Sequence, residues 1–300
     1  MVVKKTYDIA FLGHYTKDTI VSVEGTRGVD GGAFNYGSHL AIRMGLRVAA
    51  ITRLAREDFH VVEELEKLGV DVFVKTTPQS TCLRLEYPTS NVDERIIYIT
   101  SSAGPFTPSE VSKVASRAFV IGASVRGEVM PEVIEELRKK ETILAVDAQG
   151  FIRVNHEGRL VFKDWPEKAK VLTMVDVLKA DAVEAELLTG KSDLRAAARI
   201  IADFGPKEVV ITHSNGLLVY AGNHFYETNF YPKQLIGRSG RGDTCIGSYV
   251  ARRLAAPPPQ AMAWAAALTS LKMEAEGPFR RDIREVEELI QRKYRLESIP

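Results

Sequence analysis

The feature that most constrains the fold is the alternation of short apolar runs with segments of helical period. Strand-length runs occur at residues 7–13 and 48–52. A segment of helical period, 34–44, lies between them, and another, 61–68, follows the second run. Because parallel neighbouring strands are joined by a crossover that is usually helical, this order predicts an α/β fold with a doubly wound, mostly parallel sheet.

The same alternation continues along the rest of the chain. Further strands are predicted at 118–123, 143–147, 175–179 and 208–212, and helices near 131–139, 182–189 and 193–204, the last capped by Ser192. The uncharged stretch 254–271 contains three consecutive prolines and predicts a loop and a buried helix rather than a membrane span. We expect all these elements to form one domain over residues 1–300.

Two stretches do not follow this alternation of strands and helices. Residues 15–31 combine strand and turn material. Residues 81–100 alternate with period two on both sides of a turn at 89–93, which predicts a hairpin. We expect the two stretches to form a small sheet that projects from the main domain as a lid and excludes water from a site.

Composition excludes several classes of protein. The chain has 40 Lys and Arg against 39 Asp and Glu, so it lacks the excess basic charge that a nucleic-acid reader needs. Its two cysteines, Cys82 and Cys245, are too few for a disulfide framework or a cysteine-based zinc cluster. We therefore expect a cytoplasmic protein with neither a nucleic-acid nor a membrane partner.

A glycine-rich turn precedes a helix at residues 237–243, because Ile246, Val250 and Leu254 share a helical face from Asp243 onward. Closely spaced glycines let backbone N–H groups converge, and a helix N-terminus adds about half a positive charge, so the turn suits a phosphate. Asp243 would be either a helix N-cap or a general base beside that phosphate. The glycine spacing fits neither a Walker A loop nor a dinucleotide fingerprint.

A second glycine cluster enters the first helix. Gly31 and Gly32 allow close approach of a ligand, and Asn35 on the first helical turn can both donate and accept hydrogen bonds. Asp18 follows the first strand, at the end where open α/β sheets bind ligands. Each of these features alone also suits a turn or a cap, so the residues by themselves leave both interpretations open.

Together the motifs resemble the PfkB family of carbohydrate kinases, also called the ribokinase family. Residues 31–58 resemble its N-terminal signature, and Gly240-Arg-Gly-Asp243 resembles its C-terminal Gly-Ala-Gly-Asp signature. Between them, residues 178–190 resemble its Asn-x-x-Glu segment, and residues 209–216 resemble its Thr-x-Gly-x-x-Gly nucleotide turn. The resemblance covers nearly the whole chain in the right order and implies a ribokinase-like fold.

The resemblance also implies a role for each matched position. Asp243 would take the proton of the acceptor hydroxyl, and the backbone of Gly240, Arg241 and Gly242 would form the anion hole. Asp181 and Glu184 would organise Mg²⁺ through water. The ATP site would be lined by Lys179, Thr212, Ser214 and Gly216, and the acceptor hydroxyls would be held by Asp18, Gly31, Gly32 and Asn35.

Three positions depart from the family pattern. Arg241 stands where the family usually has alanine, Asp181 where it has asparagine and Ser214 where it has glycine. The extra carboxylate of Asp181 would strengthen Mg²⁺ binding or change its geometry. The guanidinium of Arg241 would either contact the transferred phosphoryl group or point to solvent.

The acceptor is the least constrained part. The lid and acceptor segments offer Arg27, Arg84 and Arg95 but no cluster of cations, which favours an uncharged polyol over a sugar phosphate. The segment 147–153, Asp-Ala-Gln-Gly-Phe-Ile-Arg, resembles that of archaeal myo-inositol kinases in the family. The resemblance thus implies ATP-dependent conversion of myo-inositol to an inositol monophosphate and ADP.

Three alternatives stay open. A sugar kinase would act on ribose, fructose or ketodeoxygluconate. A nucleoside kinase would need an aromatic sandwich, which Phe34 or Tyr36 could supply. A non-catalytic protein would bind sugar or nucleotide and regulate a partner, although retention of Asp243 and the glycine pair argues against it. Because lids in this family sometimes pair between subunits, a homodimer through the lid is a further expectation.

Overall fold

The computed structural model describes residues 5–23, 25–89 and 95–294. The strands are β1 Thr6–Tyr7, β2 Ile9–Leu12, β3 Thr16–Ser22, β4 Gly25–Gly31, β5 Val48–Leu54, β6 Asp71–Thr76, β7 Thr81–Glu86, β8 Ile96–Ser101, β9 Ala115–Ser116, β10 Ala118–Ile121, β11 Ile143–Asp147, β12 Arg153–His156, β13 Arg159–Phe162, β14 Val177–Asp181, β15 Glu208–Thr212, β16 Gly216–Ala221 and β17 His224–Asn229. The helices are α1 Ala33–Arg43, α2 His60–Lys67, α3 Pro108–Ser112, α4 Pro131–Arg138, α5 Gln149–Ile152, α6 Lys168–Leu172, α7 Ala182–Thr189, α8 Leu194–Asp203, α9 Arg241–Arg253, α10 Pro258–Met273 and α11 Ile283–Lys293.

A nine-stranded sheet in the order β17-β16-β15-β14-β11-β10-β2-β5-β6 forms the centre of the molecule. The seven strands from β15 to β6 are parallel, and β16 and β17 close one edge as an antiparallel hairpin. The predicted doubly wound, mostly parallel sheet is therefore confirmed. Beside it, β1 and β9 form a separate two-stranded parallel pair.

Helices cover both faces of this sheet, which explains why its strands are continuous apolar runs. In β2, Ile9 and Phe11 pack into the core under α1, α9 and α10, whereas Ala10 and Leu12 face the core under α4 and α8. Helix α10 is buried on nearly all sides, as the apolar stretch 254–271 predicted. Among the described residues, none of the helices is both long enough and apolar enough to cross a membrane.

The carboxyl ends of the parallel strands meet at one edge of the sheet. From β2 the chain passes through α1 to β5 on one side, and β10 later pairs with β2 on the other side. The strand order therefore reverses between β2 and β10. Open α/β sheets bind ligands in the crevice at this point, so the topology places the site at the ends of β2 and β10.

A second sheet of six strands, in the order β12-β13-β8-β7-β3-β4, forms the lid. Its strands leave from the same edge of the central sheet and include the two stretches that the sequence predicted, 15–31 and 81–100. The predicted hairpin is β7–β8, which has a register irregularity between Cys82 and Leu83; most of its turn lies outside the described residues. Four residues of the lid, Leu83, Leu85, Ile97 and Ile99, form an apolar cluster with Val125, which follows β10 of the central sheet.

The third hairpin of the lid, β12–β13, was not predicted from the sequence. Its two-residue turn, Glu157-Gly158, has positive φ at both positions, 52° and 87°. That geometry matches the type I′ turns that join twisted strands, and the glycine accommodates it at no steric cost. Strands of four residues carry too little periodicity to stand out, so only the turn residues offered a signal.

Several predicted element boundaries are wrong in informative ways. Helix α9 begins at Arg241 with Gly240 as its N-cap, so Asp243 lies inside the first turn and is not a cap. The cap of α8 is Asp193 rather than Ser192, because the Asp193 carboxylate accepts a hydrogen bond from Ala196 N at 2.7 Å. Strand β14 ends at Asp181, which makes this residue both a strand end and the N-cap of α7.

Candidate functional site

A cavity of about 420 Å³ lies between the carboxyl edge of the central sheet and the lid. The predicted site residues that line it are Asp18, Gly32, Lys179, Asp181, Thr212, Ser214, Gly240, Arg241, Gly242 and Asp243. Four others, Gly31, Asn35, Glu184 and Gly216, are not among its lining residues. The predicted positions from distant parts of the chain therefore converge on one cavity, with these four around it.

The glycine turn at the start of α9 is held in a conformation that only glycine fits. Gly240 has φ 73°, and a Cβ there would lie 2.2 Å from the ring of Tyr36. A Cβ on Gly242 would lie 2.8 Å from Lys179 Nζ. Arg241 N donates to Arg238 O at 3.2 Å and Thr244 N to Gly240 O at 2.9 Å, so the predicted anion hole keeps the N–H groups of Gly242 and Asp243 as donors. These two lie at the cavity, at the positive end of the helix dipole.

Lys272 holds this turn through hydrogen bonds, and the sequence analysis did not identify it as a site residue. Its ammonium donates to Gly237 O at 2.8 Å and also to Ser239 O. Burial lowers the pKa of Lys272 to about 8, although the nearby carboxylates of Glu276 and Asp243 partly raise it. A lone lysine within the apolar, buried helix α10 was the available signal, because such a charge stays buried only when it has partners.

Asp243 lies in the first turn of α9, close to the end of β10. A Cβ on Gly122 would lie 3.4 Å from Asp243 Oδ1, so the carboxylate approaches the backbone after β10. Burial raises the pKa of Asp243 to about 6, and the Asp147 carboxylate adds to this, whereas Lys179, Arg153 and Lys272 oppose it. A carboxylate with a pKa near neutrality is suited to accept a proton from a hydroxyl.

Lys179 is a buried cation beside the glycine turn. Its Nζ lies 3.2 and 3.0 Å from the two Asp147 oxygens and 3.7 Å from Glu184 Oε2. Burial alone would lower the pKa of Lys179, but the carboxylates of Asp147, Glu184 and Asp181 reverse this and raise it above its ordinary value. The ammonium therefore stays charged beside the glycine turn.

Asp181 and Glu184 bind each other's backbone in a reciprocal capping arrangement. Glu184 N donates to Asp181 Oδ1 at 2.8 Å, and Asp181 N donates to Glu184 Oε2 at 2.7 Å. Glu184 is buried behind the cavity, so of the pair only Asp181 lines it. In the described part of the chain no group of three or more His, Cys, Asp or Glu residues is arranged to hold a metal ion.

This donor set still fits Mg²⁺ in one manner. Mg²⁺ dehydrates reluctantly and is commonly bound through one or two carboxylates together with waters and substrate phosphates rather than by an all-protein cage. Asp181, beside Lys179 and the glycine turn, provides a suitable carboxylate for such an ion. The predicted role of Glu184 then reduces to orienting Asp181.

Three buried oxygen atoms in or beside the cavity have no hydrogen-bond partner among the residues that the structure describes. They are Asp18 Oδ1, Asn35 Oδ1 and Tyr36 OH. Burial raises the pKa of Asp18 to about 7; a hydrogen bond from Thr16 opposes this and the Asp243 carboxylate reinforces it. Leaving buried polar groups unpaired costs about 1–3 kcal/mol each, and of the three, Asp18 and Tyr36 line the cavity, where a hydroxylated ligand could pair with them.

Gly31 and Gly216 act on the packing around the cavity. A Cβ on Gly31 would lie 2.3 Å from Thr16 Oγ1 and 2.8 Å from Asp18 Oδ2, so glycine there leaves room for Asp18. A Cβ on Gly216 would lie 1.9 Å from Thr228 O, within the β16–β17 ladder. Both glycines shape the walls, and whether either also contacts a ligand stays a prediction.

A second cleft of about 330 Å³ adjoins the first. Its apolar wall contains Phe230, Tyr231 and Leu235, and it shares Ser214 and Arg241 with the main cavity. The predicted nucleotide turn therefore lies between a polar phosphate end and an apolar surface. The aromatic sandwich that a nucleoside acceptor would need is not formed by Phe34 and Tyr36, because Phe34 is buried in the core and only Tyr36 lines the cavity.

The lid brings three arginines to the cavity: Arg95, Arg153 and Arg159. The sequence-based expectation that the lid lacks a cluster of cations is therefore wrong. The reason is the missed third hairpin, since Arg153 and Arg159 both belong to β12–β13. The cavity is thus lined by carboxylates from the sheet and by cations from the lid.

Comparison with known proteins identifies relatives over nearly the whole chain. The pfkB family of carbohydrate kinases matches residues 13–280. A solved structure described as a pyrophosphate-dependent kinase of the ribokinase family, in complex with sulfate, is 37% identical, covers 93% of this chain and 99% of its own, and has a TM-score of 0.87. Another, of a pyrophosphate-dependent kinase in complex with a pyrophosphate analogue and myo-inositol, is 36% identical with the same coverage and a TM-score of 0.86. A cytidine kinase of Thermococcus kodakarensis is 23% identical over an alignment of 273 positions that covers 81% of this chain and 87% of that protein.

Proposed function

The chain belongs to the PfkB family of carbohydrate kinases, and we propose that it transfers a phosphoryl group from inorganic pyrophosphate to a hydroxyl of myo-inositol. The products are an inositol monophosphate and orthophosphate. The observation that carries this proposal is that one cavity contains both groups suited to a polyol and groups suited to a phosphate. Asp18 and Tyr36 bring unpartnered buried oxygens to the cavity, and Lys179, paired with Asp147, lies beside Gly242 at the start of α9.

At the acceptor end, a neutral polyol matches the groups that are present. Asp18 Oδ1 accepts hydrogen bonds from ligand hydroxyls, and the hydroxyl of Tyr36 can donate or accept. A site built for hydroxyls rejects analogues that lack them, because its own polar groups would be left unpaired. A hydroxylated ring such as myo-inositol therefore suits this end.

The transfer follows from the position of Asp243 between the two ends. Asp243 takes the proton of the acceptor hydroxyl while the new O–P bond forms and the bridging P–O bond of the donor breaks, the departing phosphate keeping that electron pair. The N–H group of Gly242 and the ammonium of Lys179 stabilise the charge on the phosphoryl oxygens. Mg²⁺ held through Asp181, when bound, neutralises charge on the donor phosphates.

The choice of pyrophosphate rather than ATP rests on the two relatives that are 37% and 36% identical and are described as pyrophosphate-dependent. The residues at the donor end, Lys179 and the glycine turn, recognise phosphate and leave the rest of a donor unspecified. ATP, which the family resemblance implies, is the second candidate. The apolar cleft beside Ser214, with Phe230, Tyr231 and Leu235, favours it because a base could pack there.

One set of assays separates these possibilities. The purified protein is incubated with Mg²⁺ and either pyrophosphate or ATP, and with myo-inositol, ribose, fructose, ketodeoxygluconate, adenosine or cytidine. We expect the highest kcat/KM with pyrophosphate and myo-inositol, measured as phosphate release and as inositol monophosphate by mass spectrometry. A higher value for any other acceptor or for ATP overturns the corresponding part of the proposal. No turnover with any pair would favour the non-catalytic alternative.

Pairing of two subunits through the lid remains a proposal of its own. The lid sheet has β4 and β12 at its edges, and an edge strand can pair with another chain. Sedimentation of the purified protein with and without substrates measures this directly. A monomer under both conditions would end it without affecting the proposed reaction.

A further inference from the structure

Among the residues that the structure describes, Arg153 is a buried cation without a counter-ion. Its side chain is only 6% exposed, and it lines the main cavity. It forms no ion pair with any described residue, and its buried Nε has no hydrogen-bond partner there. The other two buried cations of the site differ, because Lys179 pairs with Asp147 and Lys272 donates to two carbonyl oxygens.

The backbone holds Arg153 in place where the core meets the lid. It ends α5 and begins β12, six positions after Asp147 at the end of β11. Its carbonyl accepts a hydrogen bond from Arg126 N at 2.8 Å. Across the hairpin it pairs with Phe162, and its guanidinium lies 5.9 Å from the centre of that ring. These contacts fix the residue but leave the hydrogen-bonding capacity of its Nε unused.

A buried guanidinium without an anion is costly, and it remains charged at neutral pH. Burial and the neighbouring Arg95 lower the pKa of Arg153 to about 10, although the carboxylates of Glu184, Asp147 and Asp181, none of which forms an ion pair with it, act in the opposite direction. Isolated buried charges are rare in proteins because neutral surroundings do not compensate the lost hydration. The planar guanidinium matches the oxygens of a phosphate and binds them through paired hydrogen bonds.

Arg153 lines the same cavity as Asp18, Asp243 and the glycine turn. Its charge also lowers the pKa values of Asp18, Asp243 and Glu184. A guanidinium in this cavity is positioned to contact the phosphoryl group that passes from the donor to the acceptor. The exposed Arg95 and Arg159 also line the cavity, but they are accessible to water and need no ligand to satisfy them.

We propose that Arg153 binds the transferred phosphoryl group, contacting its non-bridging oxygens both on the donor and on the acceptor. This inference rests on the proposed function. In the step itself the acceptor oxygen gains the phosphorus and loses its proton to Asp243, and the departing phosphate leaves with the electron pair of the broken bond. Arg153 forms no bond to phosphorus and stabilises the charge that its oxygens carry during transfer.

The test compares Arg153→Lys and Arg153→Gln with the wild type and with Arg84→Gln as control. Arg84 is half-exposed on the lid, outside the cavity, and pairs with Glu86 at 2.7 Å. We expect kcat to fall about 10²–10⁴-fold in Arg153→Gln, the range for losing a charged contact to a transferring phosphoryl group. Arg153→Lys keeps the charge but not the paired geometry, so it should recover only part of this loss. Arg84→Gln should stay within about twofold of the wild type.

A binding measurement keeps this test separate from the proposed function. Calorimetry with methylenediphosphonate and Mg²⁺ measures donor affinity without any acceptor, and we expect Arg153→Gln to lose at least about tenfold while Arg84→Gln keeps it. If the wild type turns over no acceptor, the proposed function fails, but the affinities still decide the role of Arg153.

Two outcomes would overturn the inference. One is wild-type affinity together with a kcat within about threefold of the wild type in Arg153→Gln. The other is a shifted pH profile with unchanged affinity and kcat, because Arg153 would then act only on the carboxylates. Melting curves establish that each variant is folded, and if Arg153→Gln is not, the affinity and kcat of Arg153→Lys decide the question by the same criteria.

Discussion

Replacing Asp243 by asparagine should slow catalysis and stabilise the fold at once. The amide has nearly the same shape but cannot accept the proton of the acceptor hydroxyl, so kcat should fall about 10²–10⁴-fold. Acceptor affinity should change much less, because the unpartnered oxygens of Asp18 and Tyr36 remain in the cavity. Since Asp243 lies inside the first turn of α9 and does not cap it, no helix cap is lost.

The size of the stabilisation follows from the pKa of Asp243. Burial and Asp147 raise it from 3.8 to about 6. Because the folded carboxyl binds its proton more tightly than the unfolded one, stability falls as pH rises from about 4 to about 6 and is constant above. At about 1.4 kcal/mol per unit, and reduced for the exposed part of the side chain, the penalty is about 2 kcal/mol. The asparagine side chain carries no such penalty, so Asp243→Asn should be more stable than the wild type above pH 6 and equally stable below pH 4.

Two measurements check this reasoning. Urea unfolding at pH 8 and pH 4 compares the wild type, Asp243→Asn and a control, Asp203→Asn, in which the carboxylate lies exposed at the end of α8.

The second measurement is the pH profile of the wild type. Its kcat/KM should rise from acid pH with an apparent midpoint between about 6 and 7. Because the carboxyl groups of Asp243 and Asp18 interact, the pKa values of about 6 and about 7 describe the titration of the pair and not of either residue alone. The neighbouring cations Lys179, Arg153 and Lys272 hold the midpoint down. If the kcat of Asp243→Asn lies within threefold of the wild type, Asp243 is not the general base. If Asp243→Asn is no more stable than the wild type at pH 8, the buried charge of Asp243 does not destabilise the fold.

The remaining predictions concern the glycine turn, the metal and Arg241. Gly240→Ala should destabilise the fold by about 2 kcal/mol or more, because its Cβ would clash with Tyr36. The control Gly277→Ala has nearly the same φ of 74° but open space at the Cβ position, so it should cost only about 1 kcal/mol. Equal urea midpoints for the two variants would contradict the clash with Tyr36. Asp181→Asn should raise the Mg²⁺ concentration for half-maximal activity, and Glu184→Gln should mainly lower stability, since its carboxylate binds the backbone; an unaltered Mg²⁺ titration in both would make the pair structural. Arg241→Ala restores the residue usual in the family and should lower kcat with fold and acceptor affinity kept if its guanidinium acts on the phosphoryl group; an unchanged or faster kcat would place that side chain outside the chemistry.

The sequence predicted the central sheet well because its signals are local and strong. Continuous apolar runs such as Ala118–Ile121 are buried on both faces, and the helices between them have clear periodicity. The site motifs were equally legible, since a glycine turn before a helix specifies backbone geometry whatever surrounds it. Ten of the predicted residues line one cavity as a result.

What the sequence could not supply depends on long-range packing. Arg153 looked like one residue of a short motif, and its burial without a counter-ion among the described residues follows from a hairpin of four-residue strands. Lys272 lies at the end of an apolar helix, and only the packing of α10 against the glycine turn explains its charge. The pKa of Asp243 likewise depends on Asp147, which is 96 positions away in the chain.

A neutral acceptor and a highly charged donor need opposite surroundings, and the cavity provides them at its two ends. Around Asp18 the unpartnered atoms are mainly hydrogen-bond acceptors, and a negative charge there would face both Asp18 and Asp243. At the glycine turn, N–H groups and Lys179 favour negative charge. An anionic acceptor such as ketodeoxygluconate would therefore have to place its carboxylate against the exposed Arg95 and Arg159 of the lid. We expect its kcat/KM to lie well below that of myo-inositol and to fall further with added salt, because exposed charge pairs are screened. Turnover of ketodeoxygluconate above that of myo-inositol would mean instead that the lid arginines serve the acceptor, and the division of the cavity into a neutral and an anionic end would be wrong.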